Sequence, residues 1–100
     1  MVGAPLSKVD LLVVARVLER LWREGEPMVL SRLQVGSNLS YDSCARYVAW
    51  LSERGLVAMG PSEDGHERVA ITPNGYKAYA KLAEWMEEFL GGNRRPPANP

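Results

Sequence analysis

Within four residues, Gly36-Ser37-Asn38-Leu39, this chain ends one helix and prepares the next, and no other feature confines the fold as tightly. Glycine and asparagine tolerate the backbone angles that terminate a helix. Ser40 then offers a side-chain oxygen to the first unpaired N–H groups of a new one. Leu39 before that cap and Cys44 at the fourth helical position have the spacing of a hydrophobic staple, so the restart is marked twice. Pro27, suited to a first helical turn, and Gly55, suited to a helix stop, bound the pair. The spacing predicts one helix from Pro27 to about Val35, with Val29, Leu30, Leu33 and Val35 apolar, and a second from about Tyr41 to Arg54.

Two short helices joined by a tight, glycine-containing turn form a helix-turn-helix. Upstream, Ser7 reads as an N-cap with Asp10 three residues on. Val9, Leu12, Val13, Leu18, Leu21 and Trp22 recur at helical spacing until Gly25, predicting a first helix over about 8–24. Downstream, Leu56–Met59 reads as a strand, Gly60–Glu67 as a polar loop and Arg68–Ile71 as a returning strand, a β-hairpin. Thr72 caps a last helix with Pro73 at its first position, running to about Leu90 before Gly91-Gly92 stops it. The order is helix, helix, helix, hairpin, helix: a mainly α, α+β fold of the winged helix-turn-helix type. The domain is expected over 7–90, with its last helix at about 73–90. The lead 1–6 is expected to be flexible and the tail 91–100 disordered, and no internal repeat is visible.

Reactive side chains are scarce. Cys44 is the sole cysteine and His66 the sole histidine, which excludes an intrachain disulfide, a cysteine-built zinc site and a histidine-rich metal site. Any catalytic triad would have to use His66, in the loop Pro61-Ser-Glu-Asp-Gly-His-Glu-Arg68, where nothing desolvates or orients it. No enzyme, cofactor or metal is expected. The longest apolar stretch, Leu11–Ala15, falls far short of the roughly 20 residues of a membrane span. Met1–Pro5 lacks the pattern of a signal peptide. The expected location is cytoplasmic, on the nucleoid if the chain binds DNA.

The last helix of a helix-turn-helix pair is its recognition helix. With Cys44 inward, about 100° per residue turns Tyr47, Val48 and Leu51 to the core. Asp42, Ser43, Arg46, Ala49, Trp50 and Glu53 then face outward. Arg46 suits guanine edges or phosphates, Ser43 a phosphate, and Tyr41 either bases or backbone. Ser31 and Arg32 suit phosphates. Asp42 and Glu53 work against a polyanion, and 12 Lys+Arg against 12 Asp+Glu leave no net charge. Three uses of Trp50 stay open: an intersubunit contact, packing under the hairpin or first helix, and DNA contact. The hairpin tip offers Arg68 and His66 but also Glu63, Asp64 and Glu67. Arg16, Arg20 and Arg23 form one flank of the first helix, read as solvated and partly paired to Glu19 and Glu24. On the last helix Tyr79, Leu82, Met86 and Phe89 follow a coiled-coil rhythm, with Tyr76 and Trp85 widening the stripe. That stripe is read as a homodimer interface, the alternative being packing on the first helix.

The stretch Asn38-Leu-Ser-Tyr-Asp-Ser-Cys-Ala-Arg-Tyr47, continuing through Leu51-Ser-Glu-Arg-Gly-Leu-Val57, resembles small archaeal winged-helix proteins. These are DNA-binding, chromatin-associated proteins and related transcriptional regulators. Thr72-Pro-Asn-Gly75 matches their T-x-x-G opening of the last helix. The resemblance implies a homodimer joined by C-terminal helices in an antiparallel coiled coil. It also implies DNA contacts at Ser31, Arg32, Ser40, Tyr41, Ser43, Arg46 and the wing around Arg68. This chain departs from the pattern in its shorter last helix, its recognition helix sparse in Lys and Arg, and its acidic wing. Two functions are therefore carried forward. One is a homodimeric transcriptional regulator reading double-stranded DNA with its third helix in the major groove. The other is a protein-interaction module whose partner meets Trp50, Tyr41 and the wing. Neither involves a membrane.

Overall fold

The computed structural model describes Leu6 and residues 8–91. Helix α1 spans Leu11–Glu24 and is capped by Asp10, whose carboxylate accepts the Leu12 N–H at 2.9 Å. The helix thus starts three residues later than the sequence pattern predicts, with Asp10 as the cap itself; Ser7 lies outside the described residues. The Asp10 N–H is held in turn by the hydroxyl of Tyr47, a long-range tie at 2.9 Å. The buried face of α1 is Val14, Val17, Leu18 and Leu21, an i, i+3, i+4, i+7 stripe. Leu12 and Trp22, expected inward, stand on its flank, 53% and 41% exposed. Leu6, expected in a flexible lead, packs against the core. Gly25 ends the helix in the left-handed region, φ 78°.

The second predicted helix is shorter than expected, because Met28–Val29 is a strand, β1. Met28 pairs with Val69 and Val29 with Arg68, and helix α2 follows at Leu30–Gly36. Leu33 is fully buried, whereas Val35 is 73% exposed and faces away from the core. Asn38 turns the chain with φ 59°. Helix α3 then spans Tyr41–Glu53, with Ser40 Oγ accepting the Ser43 N–H at 3.1 Å, as the cap pattern predicts. Cys44, Tyr47, Val48 and Leu51 are buried, the predicted inner face. Leu39 packs against the cluster that contains Cys44.

Strands β2 (Val57–Pro61) and β3 (Glu67–Ile71) form the hairpin, paired from Val57↔Ile71 to Pro61↔Glu67. Their pairing starts later and extends further toward the tip than the sequence pattern predicts. With β1 the sheet is three-stranded and antiparallel, in the order β1-β3-β2. Helix α4 spans Pro73–Met86 and continues as a π-helical turn over Glu87–Gly91. Of the predicted tail 91–100, Gly91 belongs to that turn and residues 92–100 lie outside the described residues.

The core joins α1, α2, α3 and the inner face of the sheet. Val17, Leu18, Leu33 and Leu51 are each wholly shielded from solvent, and burying such a side chain contributes about 1.5–3 kcal/mol. One joint fixes α4 to this body. Thr72 Oγ1 accepts the Gly75 N–H at 3.0 Å and donates to the Gly55 carbonyl at 2.6 Å, while the Thr72 N–H donates to the Leu56 carbonyl at 3.1 Å. The T-x-x-G pattern is thus a hinge pin between the end of α3 and the start of α4. No helix among the described residues is long and apolar enough to cross a membrane.

Candidate nucleic-acid interface

Three segments converge on one face: the start of α2, the start of α3 and the hairpin. Val29, Leu30, Ser31, Tyr41, Met59, His66, Glu67 and Val69 line a depression of about 200 Å³ between them. The pairing of β1 with β3 brings Ser31 beside the hairpin, and the Ser40 cap aims the first turn of α3 at the same place. Tyr41 is 56% exposed there, available to a ligand on this surface. Ser31, Tyr41 and the hairpin, far apart in sequence, are therefore neighbours.

Arg20, Arg23, Arg32 and Arg46, on α1, α2 and α3, are held by carboxylates. Arg46 meets Asp42 at 2.9 Å, one turn back along α3. Its Nε is buried with no partner among the described residues. Arg32 lies 3.8 Å from Glu24, which also takes Arg20 at 2.9 Å, tying α2 to α1. Arg23 pairs with Glu19 at 2.9 Å, so two of the three arginines on the flank of α1 are paired as expected. Arg20 also leans over Gly36, whose absent Cβ would fall 2.7 Å from its Nε.

In the hairpin, Asp64 organises the tip. It accepts the Ser62 hydroxyl, the His66 N–H at 3.1 Å and the Arg68 guanidinium at 2.6 Å. The Ser62 hydroxyl, then the His66 N–H and Arg68, hold its carboxyl well below the usual carboxylate range. Gly65, at φ 86°, allows the turn. His66 is exposed at the tip.

Ser40 and Ser43 lie at the start of α3, Ser40 with its oxygen engaged as the cap. Trp50 is half-buried and packs against the core rather than standing free. The guanidinium of Arg54 lies 3.9 Å from the centre of its ring and donates to the Trp50 carbonyl at 3.0 Å. Arg54 was absent from the sequence-predicted set, although its i+4 spacing from Trp50 signals the contact.

The helix α4 stripe divides. Tyr79 and Leu82 pack against the core, and Trp22 of α1 stands 5.6 Å from Tyr79 and 6.0 Å from Tyr76, ring centre to ring centre. Burial, and secondarily Glu19, raise the Tyr79 hydroxyl's pKa above its ordinary value. Met86 is half-buried. Trp85 and Phe89 meet as tilted rings with centres 5.3 Å apart yet remain 53% and 62% exposed. Cys44 is buried, which pushes its thiol up to about 11. No cluster of three or more metal-ligating side chains occurs among the described residues.

No protein-family model and no curated protein sequence matches this chain. Solved structures do. F93 from STIV, described as a winged-helix DNA-binding protein, matches with a TM-score of 0.74 at 17% identity, over 83% of this chain and 96% of its own. The fold is a winged helix. The transcriptional regulator BldR from Sulfolobus solfataricus gives a TM-score of 0.66 at 20% identity, over 79% of this chain and 60% of its own. A MarR family transcriptional regulator from Silicibacter pomeroyi gives 0.71 at 25% identity, over 85% of this chain and 59% of its own. STIV F93 and BldR are archaeal, in line with the sequence resemblance. The winged helix here spans about three-fifths of the two longer regulators. Its wing is the β2–β3 hairpin and its helix-turn-helix is α2–α3.

Proposed function

We propose that this winged helix is a homodimeric transcriptional regulator that binds double-stranded DNA, with α3 in the major groove and α2 and the wing on the flanking backbone. The observation that carries the reading is the convergence of Ser31, Tyr41 and the wing on one face. Ser31 and Arg32 at the start of α2, with Ser40 and Ser43 at the start of α3, supply hydroxyl, guanidinium and N–H donors for phosphates. Tyr41 and Arg46 reach the bases, and Arg68 reaches phosphate once it leaves Asp64. Trp50 serves from beneath, its ring holding Arg54 at the edge of the helix. STIV F93 is itself described as a DNA-binding winged helix, which supports this use of the fold. The role is binding, not catalysis.

The second copy docks on the end of α4. Trp85 and Phe89 present apolar area that Tyr79 and Leu82 do not, with Met86 beside Trp85 in sequence and Tyr76 exposed at the other end of α4. The exposed Leu11 and Leu12 of α1 add to the apolar surface available for that contact.

Zero net charge and the carboxylate partners of Arg46 and Arg68 favour a second reading, a module that binds another protein through the wing and the Trp50 region. Fluorescence anisotropy with a labelled duplex separates the two. Binding at about 50 mM salt that weakens steeply as salt rises is the expected result. Absence of binding at that salt by a folded chain would leave the protein-binding module.

A further inference from the structure

We propose that Asp42 and Arg46 act as one unit that reads a G·C base pair, so that the preferred duplex carries G·C at the same position of each half-site. The inference rests on the DNA-binding reading above and extends it to base choice. The two side chains leave the same face of α3 one turn apart, with carboxylate and guanidinium 2.9 Å from each other. The ion pair places a terminal nitrogen of Arg46 on an Asp42 oxygen, and both side chains keep solvent-exposed area, 36% and 63%.

Asp42 needs an explanation of its own. A carboxylate facing a polyanion is repelled by every nearby phosphate. The Arg46 guanidinium and the N-terminus of α3 offset part of that repulsion, and a hydrogen-bond donor within the groove offsets more of it. In the major groove only the amino groups of cytosine and adenine donate. The G·C edge presents acceptor, acceptor, donor, from guanine N7 and O6 to cytosine N4. The Arg46–Asp42 pair presents donors beside an acceptor, which is the complementary order. Arg46 donates to N7 and O6, and Asp42 accepts from N4. The A·T edge presents acceptor, donor, acceptor and a methyl group, so the same pair meets a donor where it donates. Asp42 also fixes the guanidinium in place before DNA arrives, lowering the conformational freedom lost on binding.

Selection of duplexes from a random pool by the full chain, followed by anisotropy on duplexes differing at the selected pair, tests this. The wild type prefers G·C over A·T by about tenfold, and 7-deazaguanine at that position removes most of the preference. Arg46→Ala weakens binding to every duplex and abolishes the preference. Asp42→Asn and Asp42→Ala, verified as folded by circular dichroism, still bind duplex but lose part of the preference for G·C over A·T. A wild type that binds DNA without G·C preference at any fixed position, or Asp42 variants that keep the full preference, would overturn the inference and leave DNA binding intact. No binding to any duplex by folded wild type would overturn both.

Discussion

Gly75 stands where α4 passes closest to the corner between α3 and β2. A Cβ built there falls 1.9 Å from the Leu56 carbonyl oxygen and 2.9 Å from Ile71 Cγ1, whereas real Cβ contacts stay beyond 3.0 Å. Gly75→Ala therefore forces α4 outward by about 1 Å, the difference between those limits. Helix propensity acts in the opposite direction, favouring alanine inside a helix by about 1 kcal/mol. Overpacking against a backbone atom costs about 3 kcal/mol, the upper end of the usual range. The displacement also stretches the Thr72 bonds to Gly55 and Leu56, through which part of that cost is expressed. The clash wins, and the net loss is about 2 kcal/mol. For a domain of this size that lowers Tm by about 8–16 °C. Thermal and urea unfolding followed by circular dichroism measure it. Gly60→Ala, in β2 with nothing within 4 Å of its added carbon, is the control and stays close to wild type. A Gly75→Ala chain as stable as wild type would refute the close approach.

Other substitutions separate assembly, core and wing. Trp85→Ala with Phe89→Ala yields a folded monomer by light scattering at about 100 μM; an unchanged dimer mass would move the interface off α4. Leu82→Asp instead abolishes cooperative unfolding, because Leu82 packs on the core; a folded monomer from that variant would contradict its placement. Cys44 resists thiol reagents in native protein and reacts on unfolding. Because its pKa is raised from 9.0 to about 11, its contribution to stability is full below pH 9 and is lost as pH rises toward 11, a decline that Cys44→Ala should lack. Asp64 shows the reverse linkage. Its lowered pKa stabilises the wing tip above the ordinary carboxylate range and holds it until pH falls well below, as the His66 and Arg68 amide resonances would report. Asp64→Asn frees Arg68 and tightens DNA binding at low salt; weaker binding would mean that Asp64 positions Arg68 for contact.

Local chemistry made the starts of α3 and α4 legible, but not those of α1 and α2. Ser40 and Thr72 cap where their sequence surroundings say they should, since a cap depends on residues within one turn. The inner face of α3 followed from a single inward residue, Cys44. What escaped the sequence was set by distant partners. Met28 and Val29 are too few to show a strand's alternation, and only their pairing with β3 draws them out of the helix that Pro27 suggests. The face of α1 rotated because Val14 and Val17 fill the core, while Leu12 and Trp22 have equal hydrophobic character and lie on its flank. The residues of the candidate interface were legible by position on α2, α3 and the wing. Their ion pairs were legible only in part: Asp42–Arg46 and Asp64–Arg68 share the i, i+4 spacing, but the link from Arg32 to Glu24 spans two helices. The stripe on α4 looked continuous because periodicity does not tell a residue covered by its own domain from one left bare. Trp22 of α1 decides that division by meeting Tyr76 and Tyr79.

The central claim is that the face made by α2, α3 and the wing binds duplex DNA. Titrating isotopically labelled protein with a short duplex at low salt and following backbone amide resonances tests it residue by residue. The account predicts that the largest shifts fall at Ser31, Arg32, Ser40–Arg46 and Ser62–Arg68, with the end of α4 unmoved. Shifts confined to α4, or none at saturating duplex, would contradict it.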